Sequence, residues 1–195
     1  THAKMLLIVR REGARLHRYT HLSTGNYHAG TARQHTDIGL MTAHPEIGED
    51  VHRLFQQLSG LVPSFKLARL LQAPFTLQAA LLEKIGREAE HARCGKPARI
   101  IAKLNALNEP QVMRALYRAS QAGVEIDLIV RGACSLRPGV PNVSETIRVR
   151  SVVGRFLEHS RVYWFANDGE PELYCSSADW LERNLLRRVE TAFPL

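Results

Sequence analysis

A chain of 195 residues with 45% hydrophobic and 23% charged content can bury one full core or two small ones, which excludes a disordered polypeptide. No apolar run approaches the roughly 20 residues of a membrane span, and the opening Thr-His-Ala-Lys lacks the marks of a signal peptide, leaving the cytoplasm as the default compartment. The net charge of +7 favours polyanionic partners, whether phosphate polymers, nucleotides, nucleic acid or acidic lipid, without choosing among them.

The apolar run over residues 2–9 predicts a buried strand, with His2 and Lys4 on one face by period-2 alternation. Glu12-Gly13 suits a turn into a second hairpin strand over 15–22, and Ser23-Thr24-Gly25-Asn26 suits a polar turn that presents backbone N–H groups. Opening on Thr1 and passing at once into a strand, the chain reads as a piece of a longer protein, with an exposed sheet edge near residues 1–40 that is prone to pair with another molecule. Ile47, Val51, Leu54, Phe55 and Leu58 recur at helical spacing, with Gly60 where a C-terminal cap belongs. The periodicity lapses around Pro63 and Pro74, which predicts two units, 1–69 and 70–195.

Thr76 then caps a helix to about residue 94, with Gly95 after it. Residues 98–104, a helix with Pro110 in its first turn and Gly123 past its end, and residues 124–130 form a β-α-β signature. Function in such sheets lies at the strands' carboxyl ends, here Lys103, Asn105, Arg131 and Gly132. Residues 138–144 read as a loop, 155–165 as one returning strand, 173–176 as another, and 180–189 as a basic helix whose Arg183, Arg187 and Arg188 form a solvated face. Cys94, Cys134 and Cys175 form no C-x-x-C pair and are odd in number, so they read as reduced thiols packed as small core hydrophobes, with Trp164 and Trp180 as further anchors.

Two stretches repeat each other. His2-Ala3-Lys4 is followed by Ser23-Thr24-Gly25-Asn26, and His159-Ser160-Arg161 by Ser176-Ser177-Ala178-Asp179. Each pairs a histidine with a cation two residues on and a small polar turn about 20 residues later. An imidazole beside a fixed positive charge is what phosphoryl chemistry asks for: a nucleophile or proton carrier, and a counter-charge for developing oxyanions. The two copies should therefore converge on one cleft, although His2 and His159 lie 157 positions apart. The remaining histidines, His17, His21, His28, His44, His52 and His91, show no metal-ligand spacing, and no metal ligand is assigned.

The doubled pattern resembles the duplicated H-x-K and G-S-x-N arrangement of the phospholipase D superfamily. A closer resemblance is to the polyphosphate kinases. It rests on His2-Ala3-Lys4, Thr24-Gly25-Asn26-Tyr27, Thr31-Ala32-Arg33 with Thr36-Asp37, and Ile129-Val130-Arg131-Gly132. It continues through Cys134-Ser135-Leu136-Arg137-Pro138-Gly139-Val140-Pro141, Ile147-Arg148-Val149-Arg150-Ser151, Arg155-Phe156-Leu157-Glu158-His159 and Ser176-Ser177-Ala178-Asp179-Trp180.

That resemblance implies an α/β fold of two phospholipase D-like units, each a mixed sheet flanked by helices, the first truncated at its amino terminus. It implies ATP/ADP and inorganic polyphosphate as partners, no specific nucleic acid, and a parent enzyme that can associate with membranes or with copies of itself. His2 matches the histidine that becomes phosphorylated, and His159 a second essential histidine that touches the nucleotide's phosphates. Arg131 matches an arginine that contacts ATP, while Lys4 and Arg161 supply charge at the phosphates. His35 stands where the family has a nucleotide-contacting tyrosine, Ala32-Arg33-Gln34-His35-Thr36-Asp37 replacing a pattern like A-R-L-Y-T-D. The family's Mg2+ positions lie upstream of Thr1, so the piece alone is expected to have little kinase activity. Two other functions fit the residues: a phospholipase D-like phosphodiesterase or nuclease, and an inactive polyanion-binding fragment.

Overall fold

The computed structural model describes residues 1–61 and 66–195; Pro63 lies outside them. In chain order the elements are β1 (Lys4–Glu12), β2 (Arg15–Ser23), α1 (Ala29–Ala32), β3 (His35–Thr36), β4 (Gly39–Thr42), α2 (Pro45–Leu58) and β5 (Leu71–Ala73). They continue with α3 (Leu77–Arg93), β6 (Arg99–Leu104), α4 (Pro110–Gln121), β7 (Glu125–Val130), β8 (Ile147–Arg150), β9 (Leu157–Glu158), β10 (Arg161–Phe165), β11 (Glu172–Ser176), α5 (Glu182–Leu186) and β12 (Glu190–Pro194).

The main body is a seven-stranded mixed sheet in the order β5-β12-β11-β10-β6-β7-β8. β6, β7 and β8 are parallel and the other pairings antiparallel. The β6-α4-β7 unit is the one legible in the sequence, with Pro110 in the helix's first turn and Gly123 beyond its end at φ +97°. Only glycine holds that left-handed geometry without strain. Leu77, Leu81 and Ile85 of α3 and Val112 and Leu116 of α4 pack with Ile100, Ala102, Ile126 and Leu128 into one fully buried core. α3 ends as expected, with Gly95 at φ +69°. Thr76 occupies its N-cap position, but its hydroxyl accepts from the Gln72 N–H at 2.9 Å and not from the helix.

Residues 1–61 add a three-stranded sheet, β1-β2-β4, with α2 against it. A second core binds this part to the rest: Leu22, Ile47, Val51 and Leu54 meet Leu70, Cys175 and Phe193. The Asp50 carboxylate of α2, 1% exposed, accepts from the N–H groups of Ala68, Arg69 and Leu70 at 2.7–2.9 Å.

Four expectations are corrected. β1 is not a buried strand: it is an edge strand paired only with β2 among the described residues, and Leu6, Ile8 and Val9 are exposed because the hairpin projects past the short β4. Residues 155–165 are two strands, broken at His159-Ser160, because Leu157–Glu158 turns aside to pair with His35–Thr36. The basic helix over 180–189 is only the five residues of α5; Asn184 is turned inward to Glu190, and the chain leaves at once as β12. Cys94 is exposed, at the C-cap of α3, and not in the core. Arg183, Arg187 and Arg188 are exposed, as a solvated face requires.

Asp50→Ala would leave three inward N–H groups without their acceptor and should cost about 2–4 kcal/mol of stability. Urea denaturation of the purified chain measures this; an unchanged midpoint would remove Asp50 from the joint. Ile8→Lys, by charging the open edge, should lower any self-association seen in sedimentation.

Candidate active site

Both repeated turns use the same local bond. The Gly25 N–H donates to Ser23 Oγ at 3.0 Å, and the Ala178 N–H donates to Ser176 Oγ at 3.0 Å. Part of each turn's N–H set is spent inside the fold, Thr24 N–H on the Ile38 carbonyl and Ser177 N–H on the Thr191 carbonyl. They also position hydroxyls. Thr24 Oγ1 donates to Asp37 Oδ1 at 2.8 Å, and Ser177 Oγ donates to Glu190 Oε2 at 2.5 Å. A Cβ at residue 25 would lie 2.1 Å from Asp37 Oδ2, so that position has to be glycine for the carboxylate to sit where it does.

Each carboxylate then reaches a histidine from the other end of the chain. Asp37 lies 2.7 Å from His159 Nδ1, and Glu190 lies 2.9 Å from His2 Nδ1. Sequence reading assigned no role to Asp37 or Glu190. Asp37 stood inside a quoted motif, and Glu190 had only the signal of a lone acid heading an apolar run. Glu190 is fully buried and receives Asn184 Nδ2 at 2.6 Å besides Ser177 and His2, so its charge is well satisfied.

The cations complete the arrangement. Lys4 Nζ is 3.0 Å from His2 Nδ1 and 3.2 Å from Nε2. Arg161 Nη1 is 3.1 Å from His159 Nε2, its guanidinium anchored on buried Asp179 at 3.1 Å. Asp179 Oδ1 also accepts the Asn105 N–H at 2.7 Å, which fixes the carboxyl end of β6. Arg131, following β7, donates from Nη1 to the Glu158 carbonyl at 3.1 Å, and Lys103 reaches Ser160 Oγ at 2.8 Å. The strand ends named from the β-α-β pattern thus border the His159 segment. His35, in β3, stacks obliquely on His159, ring centroids 4.6 Å apart.

These surroundings set protonation. Burial holds His159 below the ordinary imidazole range, and the nearby Arg161 charge adds to that, overriding the opposing hydrogen bond to Asp37. The shift favours the neutral imidazole. Burial works to raise Asp37, but the bonds from His159 and Thr24 outweigh it and hold the carboxyl below its usual range. Lys4 is lowered from 10.5 to about 8, chiefly by burial, with Glu190 and Asp37 pulling upward and Arg161 downward. Arg161 Nη1 also donates to the Thr24 carbonyl at 3.5 Å, and with the crossed histidine–carboxylate contacts this joins the two repeats.

Donor atoms of His35, Asp37 and His159 also fall within 4.8 Å of one another. Spacing along the chain could not reveal this set, because His35 and His159 are 124 positions apart.

A lysine lowered this far opposes folding in its charged form, so between pH 8 and 10.5 the unfolded chain binds more protons and stability rises with pH. Below pH 8 the full penalty applies. Lys4→Met should therefore stabilise the chain at pH 7 by roughly 1–3 kcal/mol and lose that advantage near pH 10.5. Denaturation at both pH values checks the sign; destabilisation at pH 7 would show that Lys4 is held by its partners more than it is penalised by burial.

Comparison with known proteins gives a consistent result. The family model "Polyphosphate kinase C-terminal domain 1" matches residues 1–63, and "Polyphosphate kinase C-terminal domain 2" matches residues 70–195. The polyphosphate kinase of Xylella fastidiosa is 74% identical over all 195 residues, and that of Pseudomonas aeruginosa 61%. The chain covers 28% of each of these relatives' length. The crystal structure of polyphosphate kinase from Porphyromonas gingivalis superposes with a TM-score of 0.93 at 46% identity, covering 100% of this chain and 30% of that one. With matching models over both its parts and a shared fold, this chain belongs to the polyphosphate kinase family.

Proposed function

We propose that this chain forms the phosphohistidine-bearing side of a cytoplasmic enzyme that transfers the ATP γ-phosphate reversibly to inorganic polyphosphate. The observation that supports it best is the pair of crossed imidazole–carboxylate contacts, each with a cation beside the ring. With Nδ1 of His2 directed at Glu190, Nε2 is left as the nucleophile. It attacks the γ-phosphorus in line, the N–P bond forms as the bond to the β-bridging oxygen breaks, and ADP departs. A terminal oxygen of the polyphosphate then attacks the same phosphorus, the N–P bond breaks, and the imidazole returns neutral. Lys4 stabilises charge at the transferring group, Arg161 and Arg131 at the nucleotide's phosphates, and neutral His159 accepts or returns a proton. His35 takes the place of the expected tyrosine beside the nucleotide.

Mg2+ supplies charge neutralisation of the triphosphate when bound. The groups at this site do not suit it: Asp37 stands between two imidazoles where Mg2+ prefers an all-oxygen shell, Glu190 is engaged by His2, Ser177 and Asn184, and Asp179 by Arg161. Its ligands belong to the parent enzyme outside this chain.

In the full-length parent, γ-labelled ATP should label His2 through an acid-labile, alkali-stable bond, and His2→Ala should abolish the label. Glu190→Gln should slow labelling by about 10²–10⁴ while leaving the site able to bind nucleotide, the cost of a mis-set tautomer and a lost countercharge. Label on another residue, or hydrolysis of phosphodiesters without ATP, would overturn the assignment. The 195-residue chain alone should turn over far more slowly than the parent, since one missing charge contact commonly costs about 10²–10³.

A further inference from the structure

Where the family resemblance expects a tyrosine, this chain carries an imidazole, and the exchange alters what the cleft can bind. His35 and Asp37 project from neighbouring positions, and β3 pairs in parallel with β9, so that His159 follows immediately after the partner strand. The donor atoms of all three lie within 4.8 Å of one another. The Nδ1 of His35 is shut off from solvent and has no hydrogen-bond partner. A buried ring nitrogen without a partner is costly, and a ligand that drew the ring to itself would relieve that cost.

We infer that His35, Asp37 and His159 form a site for a divalent transition metal of the zinc class, present in this chain because residue 35 is histidine. Two imidazoles and one carboxylate suit zinc, cobalt or nickel and leave a fourth position open; Mg2+ prefers an all-oxygen shell. Around tetrahedral zinc with bonds of about 2.0 Å, donors sit about 3.3 Å apart, so the side chains need close by no more than about 1.5 Å. β3 and β9 hold their backbones in register for that movement. Asp37 carries negative charge into the site, and Arg161, the cation in contact with His159, is itself paired with Asp179. The metal would take the place of the proton shared by Asp37 and His159, that proton moving to Nε2 of the same ring in place of the contact from Arg161, so binding withdraws both groups from other work at the site. Binding itself is independent of the proposed kinase reaction, whereas any inhibition of that reaction rests on it.

Isothermal calorimetry with Zn2+, and visible absorption with Co2+, on the chelator-treated chain test this directly. One equivalent should bind, Co2+ should develop the intense bands of a low-coordinate site, and Mg2+ should not compete. His35→Tyr should weaken Zn2+ binding by at least about 10–100-fold, as should Asp37→Asn, whereas His17→Ala, an exposed histidine outside the cluster, should leave it unchanged. Circular dichroism checks that each variant is folded, and the zinc-induced rise in melting temperature should vanish in His35→Tyr. Equal zinc affinity in His35→Tyr and the unaltered chain, or weakening by His17→Ala, would overturn the site. Zinc binding at the cluster with no effect on labelling of an active parent would overturn only the inhibition; absence of labelling in the metal-free parent would count against the kinase reading and leave the metal site standing.

Discussion

The constraint on which the rest depends is that each histidine is oriented by a carboxylate from the opposite end of the chain. His2 and Glu190 are 188 positions apart, and His159 and Asp37 are 122. Neither pair can form locally, so the fold must close before either imidazole has a defined tautomer. The second core, where Leu22 and α2 meet Cys175 and Phe193, supplies the apolar burial that holds these ends together. The short β3-β9 ladder lines up His35, Thr36 and Asp37 with the approach to His159.

Burying charge in this way would be unfavourable without dense hydrogen bonding. The chain meets the cost by duplication: the same serine-anchored turn appears twice, and each presents a hydroxyl to the carboxylate that serves the other repeat's histidine. What remains uncompensated sits on Lys4, whose lowered pKa marks where stability has been given up to keep a cation beside an imidazole.

Much of this was legible in the sequence. The β6-α4-β7 unit announced itself through Pro110 and Gly123, which act on the backbone alone, and the histidine–cation spacing of two follows from strand alternation. The carboxylates were not legible, because their partners lie more than a hundred residues away and a single acid in an apolar run has no period. Glu190 was also masked by the basic residues before it, which read as a continuing helix, although the inward turn of Asn184 ends α5 early. β1 misled in the other direction: an apolar run predicts burial, yet a hairpin can carry such a run past the edge of its sheet.

The crossing of the pairs bears on how such a protein could be divided. If the chain were separated between residues 61 and 66, each piece would own one histidine of the crossed pairs, its cation and a carboxylate. Yet the carboxylate in each piece would belong to the histidine in the other. Neither piece could fix the tautomer of its own imidazole by itself, and only their reunion would restore both contacts at once. The architecture is thus obligately complementary, and the two repeats can diverge in sequence only as far as each continues to serve its counterpart.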